Sequence, residues 1–277
     1  MMLIKRLILG FVQLVTLLLF VSISLPAQNV VQSTWTAPPP QIDGRNEDWT
    51  GDAVTSEKGV GVDYAFRNDG RDLYVLLIFK DPKFLSSIDM TGVTMYASTS
   101  GKKDKDWGVR FIKKTVTGEE LIQYMEKMGQ PLAEERKQEL KDKPQLILFT
   151  ATAVNKKGEE VFPAGPVQGI DLPGFRIGRQ ENMVFYEFRI PLVARDVHPT
   201  GIGAEPGKDV KVGFEWGGLT KEMREAMRGR ARGTATGSDA NRDEVTTGTY
   251  MGAPPSTGPG GPKKYSFWVD VKLAQAQ

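Results

Sequence analysis

The sequence predicts an all-β fold, an antiparallel β-sandwich with a small helical insertion. Three observations lead to this fold class. Short runs rich in β-branched and aromatic residues recur between turn signals, one run is apolar on both faces, and helical periodicity is confined mainly to one segment. A chain of 277 residues without cysteine is also long enough to bury a core that needs no disulfides.

The predicted strands are bounded by residues that favour turns or end pairing. Residues 73–79 are apolar at every position, which predicts a central strand covered on both sheet faces. Residues 183–191 alternate, so that one face meets a core, and Pro191 ends the pairing at a sheet edge. Further strands are predicted at 63–66, 93–97, 109–112, 145–154, 210–216 and 265–273.

Two segments interrupt this β pattern. Residues 117–143 predict a helical insertion, because Thr117 and Glu120 fit a capping box and an apolar stripe follows them. Residues 217–263 are rich in Gly and Pro and predict a long flexible loop that begins with a short helix. A loop of this length inside a compact domain is usually functional or disordered.

The chain begins with the features of a secretory signal peptide over residues 1–27. Lys5 and Arg6 precede an uncharged apolar stretch, and Pro26 and Ala27 follow it. We expect cleavage after Ala27, which places the protein in the periplasm or outside the cell. The alternative is an uncleaved segment that anchors the chain in a membrane, since the apolar stretch is long enough to span a bilayer.

Charge gives no indication of a nucleic-acid partner. The chain has 36 Lys and Arg residues against 34 Asp and Glu, and Lys5 and Arg6 account for the whole excess. The exported part is therefore formally neutral, and we predict no nucleic-acid binding. The absence of cysteine excludes thiol catalysis, iron–sulfur clusters and thiolate zinc sites.

Several motifs occur here in a recognisable order. Residues 42–49 read I-D-G-R-N-E-D-W, in which Gly44 suits a tight turn and Trp49 is large enough to pin the chain to a core. Residues 68–81 contain a turn, an L-Y-V strand and an acidic stop, and residues 186–192 contain E-F-R-I-P. This set resembles the family 9 carbohydrate-binding modules and the wider DOMON-like β-sandwich group. The resemblance implies one such domain over residues 41–273, after an extended lead-in at 28–40.

The resemblance implies a sugar ligand held by aromatic side chains at one end of the sandwich. Trp107 follows a charged run and Trp216 precedes two glycines, so we expect these two rings to be exposed and to contact the ligand. Trp49 and Trp268 are expected to pack inside. The predicted function is that of an exported, non-catalytic carbohydrate-binding protein.

One alternative function is that of a structural or interaction protein of the cell envelope without sugar binding. In that case the loop at 217–263 orders on a protein partner. An enzyme is not predicted, because no nucleophile motif is present and the single histidine, His198, lies in a Pro- and Gly-rich segment.

Two cofactors are considered. Modules that this chain resembles bind calcium, and Asp43 and Asp81, at a turn and a strand end, are the candidate ligands, with Asp69 and Asp89 as further ones. The alternative role for such residues is to cap their own turns. Some DOMON-like domains bind b-type haem, for which His198 is the only histidine ligand, and we predict none here.

Overall fold

Two β-sheets packed face to face form the protein, in a computed structural model that describes residues 30–81, 84–85, 87–166, 172–218 and 263–276. In chain order the strands are β1 (Val30–Gln32), β2 (Thr34–Trp35), β3 (Thr55–Glu57), β4 (Val62–Asn68), β5 (Asp72–Phe79), β6 (Val93–Ser98), β7 (Trp107–Val116), β8 (Leu146–Asn155), β9 (Glu160–Val161), β10 (Gly174–Gln180), β11 (Met183–Pro191), β12 (Asp209–Gly217) and β13 (Lys264–Lys272). Sheet A has the order β1-β13-β12-β6-β7-β8-β9. Sheet B has the order β10-β11-β5-β4-β2, with β3 beside β4. The predicted β-sandwich is confirmed.

Both sheets are mixed rather than purely antiparallel. β1 pairs in parallel with β13 in sheet A, and β2 pairs in parallel with β4 in sheet B. The segment predicted as an extended lead-in therefore contributes a strand to each sheet. Between these strands the Ser33 hydroxyl donates a hydrogen bond of 2.5 Å to Oδ1 of Asn68, which is fully buried.

The predicted helical insertion is present between β7 and β8. A short helix, α1 (Ile88–Thr91), lies before β6. The insertion itself consists of α2 (Gly118–Lys127) and α3 (Glu134–Lys141), and Thr117 and Glu120 form the predicted capping box. A Cβ atom at Gly118 would lie 1.9 Å from the carbonyl oxygen of Leu140, so the two helices touch closely there. Across the residues that the structure describes, no helix is long and apolar enough to cross a membrane.

The central strand of sheet B is β5, as its sequence predicts. Leu73, Val75, Leu77 and Phe79 face the main core between the sheets, while Tyr74 and Leu76 belong to a second cluster on the outer face of sheet B. The second cluster also contains Trp49, which lies in a one-turn 3-10 helix (Glu47–Trp49). The 42–49 segment thus covers the outer face of sheet B.

Glu187 on β11 fastens this covering segment. One carboxylate oxygen accepts hydrogen bonds from the amides of Asp43 (3.1 Å) and Gly44 (2.6 Å), and the other accepts one from the indole nitrogen of Trp49 (2.7 Å). Burial raises the pKa of Glu187 more than these hydrogen bonds lower it. The I-D-G-x-x-x-x-W and E-x-x-I-P motifs therefore meet at one carboxylate.

Two structural residues from the sequence analysis complete this region. Gly44 has φ of 88°, and a Cβ atom there would lie 2.9 Å from the backbone of Ile177. Pro191 ends β11, but the prediction of an edge position is wrong, since β11 lies between β10 and β5. The proline is tolerated because β10 pairs only as far as Arg189, two residues before it.

Candidate functional site

The two tryptophans predicted to be exposed are both buried. Trp216 is 1% exposed, its indole nitrogen donates to the carbonyl of Phe84, and its ring lies within 6 Å of those of Tyr265 (5.7 Å) and Phe79 (5.5 Å). Trp107 is 8% exposed, and its indole nitrogen donates to the carbonyl of Pro199 at 2.6 Å. The prediction of exposure is therefore wrong for both rings.

Strand alternation explains this burial. Trp107 shares its face of β7 with Val109 and Phe111, and Trp216 shares its face of β12 with Phe214, all of which belong to the main core. The two rings also do not converge. Trp216 pairs with the first residue of β6, whereas the residue after Trp107 pairs near the other end of that strand.

A different set of aromatic residues lies on the outer face of sheet A. One row of paired positions crosses four strands and consists of Gly108, Tyr96, Gly213 and Trp268. The two aromatic side chains are partly exposed, and the two glycines are the positions over which these rings extend. Together with Glu215, Lys105 and Lys264, these two rings form what we call the outer-face site.

Trp268 lies flat against the sheet at this site. A Cβ atom built on Gly213 would lie 2.6 to 2.8 Å from three atoms of the indole, Cδ2, Cε2 and Cε3. Nearly equal distances to three fused-ring atoms mean that Gly213 lies beneath the face of the ring rather than beside its edge. The opposite face of the indole is consequently directed away from the sheet.

Tyr96 lies beside Trp268 with a nearly parallel ring. The two centroids are 6.1 Å apart and the planes differ by 19°. The ammonium group of Lys105 lies 5.3 Å from the centroid of Tyr96, within cation–π range. Burial, followed by the charge of Glu215, raises the pKa of the Tyr96 hydroxyl to about 12, so this hydroxyl stays protonated at neutral pH.

Glu215 connects the charged groups of the outer-face site. One of its carboxylate oxygens binds the ammonium group of Lys105, and the other binds that of Lys264 at 2.7 Å. Burial raises the pKa of Glu215, but the hydrogen bonds and charges of the two lysines outweigh it and hold the pKa below its ordinary value. Glu215 is therefore ionised at neutral pH.

The site thus combines a flat apolar surface with polar groups at its margin. An indole face directed away from a sheet can stack against the apolar face of a flat ring. Ammonium, carboxylate and hydroxyl groups beside it can form hydrogen bonds with a polar ligand and fix its orientation. This chemistry fits the binding of a polar ligand that has a flat apolar face.

The alternation of residues on β13 is a sequence signal for the outward position of Trp268. On β13 the side chains of Tyr265, Phe267 and Val269 face the core, so the intervening positions face outward. The outward neighbours of Trp268 are Ser266 and Asp270, which are polar. The expectation that Trp268 packs inside is wrong, because its one covered face rests on Gly213 at the surface of the sheet.

Two of the candidate calcium ligands, Asp43 and Asp69, bind the backbone of their own turns. The carboxylate of Asp43 accepts a hydrogen bond from the amide of Arg45, and that of Asp69 accepts from the amides of Arg71 and Asp72. No group of three or more potential metal ligands occurs among the described residues. Calcium binding at Asp43 and Asp81 stays a prediction.

The candidate haem ligand, His198, is fully buried in the segment between β11 and β12. Its Nδ1 accepts a hydrogen bond from the amide of Thr200 at 3.2 Å, and burial lowers its pKa. Because Nδ1 accepts this hydrogen bond, the ring proton lies on Nε2, and this tautomer has no lone pair available for an iron. Two other predicted regions, the signal peptide at 1–27 and nearly all of the loop at 217–263, lie outside the described residues.

Comparison with known proteins gives a limited result. No protein-family model matches the chain, and no curated protein matches it. Two solved structures of a family 9 carbohydrate-binding module from Caldicellulosiruptor kristjanssonii are similar to it, one in complex with glucose and one in complex with cellotriose. The identities are 12% and 11%, the likeness covers 70% of this chain and 80% or 78% of the module, and the TM-score is 0.33 in both cases.

These structures belong to the family that the sequence motifs resemble.

Proposed function

We propose that this protein is an exported, non-catalytic carbohydrate-binding protein whose ligand stacks on Trp268 at the outer-face site. The observation that carries the proposal is the position of the indole, which rests on Gly213 with one face and directs the other away from the sheet. A pyranose ring has an apolar face that fits such a surface, and its hydroxyl groups then meet polar partners at the rim.

The row of side chains next to Trp268 supplies such partners. On the outer face, Glu215 pairs with Thr94 on one side and with Ser266 on the other. This row lies two residues along the strands from Trp268, which is about 7 Å. A sugar stacked on the indole therefore has hydroxyl and carboxylate groups within reach of its ring substituents.

The charges at the site support binding rather than hydrolysis. A glycosidase needs a general acid with a raised pKa and a second carboxylate beside the bond to be cleaved. The pKa of Glu215 is lowered, because two lysines hold its ionised form. Asp270, on the same face, is paired with Lys211.

Substitution of Trp268 tests the proposal. With a ligand found on a glycan array, we expect Trp268→Ala to lower the affinity measured by calorimetry about five- to tenfold, since stacking contributes on the order of 1 kcal/mol. The melting temperature should change little. Trp216→Phe is the matched control, because it alters an aromatic residue in the core and should lower the melting temperature while leaving the affinity unchanged.

Two results would contradict the proposal. One is the absence of any glycan ligand for the correctly folded protein, which would instead favour the envelope interaction protein. The other is an unchanged affinity in Trp268→Ala.

The export part of the proposal rests on the signal peptide features of residues 1–27 and has its own test. Mass spectrometry of the protein recovered from the cell envelope or the medium should give a mature chain that begins at Gln28. An N-terminus at Met1 in a membrane fraction would indicate the uncleaved anchor instead.

A further inference from the structure

We infer that the outer-face site selects acidic sugars, and that Lys105 and Lys264 together receive the carboxylate of a uronic acid residue whose ring stacks on Trp268. This inference rests on the proposed carbohydrate binding and adds the chemical class of the ligand. The first step is the convergence of the two lysines.

Lys105 and Lys264 come from distant parts of the chain and meet at one carboxylate. Lys105 lies in the segment that precedes β7, and Lys264 is the first residue of β13. Because each binds one oxygen of Glu215, their ammonium nitrogens are at most about 8 Å apart at ordinary ion-pair distances. Each ammonium group has three donors, so both retain donors for a second anion.

The second step is the balance of charge. Glu215 neutralises only one of the two lysines. Arg110 is a further cation beside Tyr96 and donates to the carbonyl of Gly158 at 3.0 Å. A further carboxylate of this face, Asp270, is paired with Lys211. Among the described groups that interact directly with Glu215 or Tyr96, the three cations Lys105, Lys264 and Arg110 therefore outnumber the one carboxylate.

The third step is the difference in exposure between the carboxylate and the two lysines. The Glu215 side chain is 15% exposed, whereas those of Lys105 and Lys264 are 44% and 57% exposed. A ligand that approaches from solvent therefore meets the ammonium groups before it meets the carboxylate beneath them. An anionic group is attracted to this arrangement, and a neutral hydroxyl gains less from it.

The fourth step is the position of this cation pair relative to the stacking face. Both lysines bind Glu215, whose row lies about 7 Å along the strands from the row of Trp268. A hexuronate carries its carboxylate on the ring carbon at the margin of the pyranose. Stacking on the indole and ion pairing with the lysines can therefore occur in one sugar residue or in two consecutive ones.

A matched pair of ligands tests the inference. The probes are an oligogalacturonate and the same oligomer after its carboxyl groups have been reduced to alcohols, both titrated into the full chain by calorimetry. We expect the acidic oligomer to bind at least about tenfold more tightly at low salt, and this preference to shrink at about 0.3 M NaCl because of screening.

Variants of the two lysines locate the effect. Lys105→Gln combined with Lys264→Gln should bring the ratio of the two affinities close to one, and each single variant should lower that ratio. Lys211→Gln is the control, because it removes a positive charge from the same sheet face at a pair outside the site, and it should leave the ratio unchanged. Melting curves of all variants show whether the fold is retained.

The outcomes separate this inference from the proposed function. If the two oligomers bind equally and Trp268→Ala weakens both, carbohydrate binding stands and the selection of acidic sugars is overturned. A preference that survives in the double lysine variant also overturns it. If neither these oligomers nor any arrayed glycan binds, the proposed function itself fails.

Discussion

The outer faces of the two sheets contain the same three kinds of group, but the glutamate on each face binds different donors. On sheet B, Trp49 meets Glu187, and the guanidinium group of Arg67 lies 5.3 Å from the Trp49 ring. On sheet A, Tyr96 lies beside Glu215, and the ammonium group of Lys105 lies 5.3 Å from its ring. Each face thus has an aromatic ring, a glutamate and a cation, but within the part of the chain that the structure describes only the group on sheet B is covered by another segment.

The difference lies in the donors that satisfy each glutamate. Glu187 accepts hydrogen bonds from two backbone amides and an indole, which cannot move without unfolding the 42–49 segment. Glu215 is held by two partly exposed lysines on flexible stems, which can turn toward another anion. The first arrangement fixes structure, and the second leaves donors available for a ligand.

Removal of each carboxylate should give the largest contrast between the two faces. Glu187→Ala leaves three donors without an acceptor, two of them buried, and should lower the free energy of unfolding by about 3 kcal/mol or more. Glu215→Ala removes two partly exposed ion pairs and should cost about 1 kcal/mol or less. Urea denaturation measures both, and equal losses would contradict the distinction between a structural and a ligand-binding face.

Adding a methyl group to the glycine on each face gives an intermediate contrast. A Cβ atom at Gly178 would lie 1.5 Å from the carbonyl oxygen of Gly44, so Gly178→Ala must displace the covering segment and should cost about 2–3 kcal/mol. At Gly213 the three atoms nearest to the added Cβ all belong to the Trp268 ring, which can rotate away.

Gly213→Ala should therefore cost about 1 kcal/mol in stability but weaken carbohydrate binding as clearly as Trp268→Ala does. Denaturation curves and calorimetry on both variants distinguish the two effects. A Gly213→Ala protein with unchanged affinity would indicate that the flat position of the indole is not needed for binding.

The smallest expected contrast is in pH dependence. The pKa of Glu215 is lowered, so its contribution to stability is present above its ordinary pKa of 4.5 and is lost as the pH falls through the folded value. The pKa of Glu187 is raised from the same ordinary value, so its contribution has the opposite sign and declines as the pH rises above 4.5.

Melting temperatures of the wild type and Glu215→Gln between about pH 3 and pH 6 measure the contribution of Glu215. This contribution should be about 1 kcal/mol or less, because the two lysines are partly exposed to solvent. We expect the variant to lose less stability than the wild type on acidification. Parallel profiles would mean that the lysines do not stabilise the ionised form of Glu215.

Much of the fold could be predicted from the sequence, because the relevant information is local. The apolar run that forms β5 and the capping box of Thr117 and Glu120 each follow from a few adjacent residues. The strands β1 and β2 were not predicted, because they contain three and two residues and their partners lie far along the chain. Gln32 and the residue that it contacts on β13 are 240 positions apart.

The site was harder to predict for two physical reasons. Trp107 and Trp216 were chosen by their polar or glycine neighbours, whereas the direction of a side chain on a strand depends on alternation with residues on either side. Lys105 and Glu215 are 110 positions apart in the sequence, so no local sequence pattern predicts their contact. The resemblance to sugar-binding modules implies aromatic contacts, but it does not indicate on which face of a sheet each tryptophan lies.

The parallel pairing of β1 with β13 has a consequence for the order in which the domain is completed. Residues 30–32 and residues 264–272 lie at opposite ends of the described domain, so the two strands cannot join until nearly the whole domain is available to fold. Until then, both β1 and the edge of β12 lack their common partner, β13. An incomplete chain therefore presents an open sheet edge to its neighbours, and the arrival of the last strand closes the domain and removes a site of aggregation.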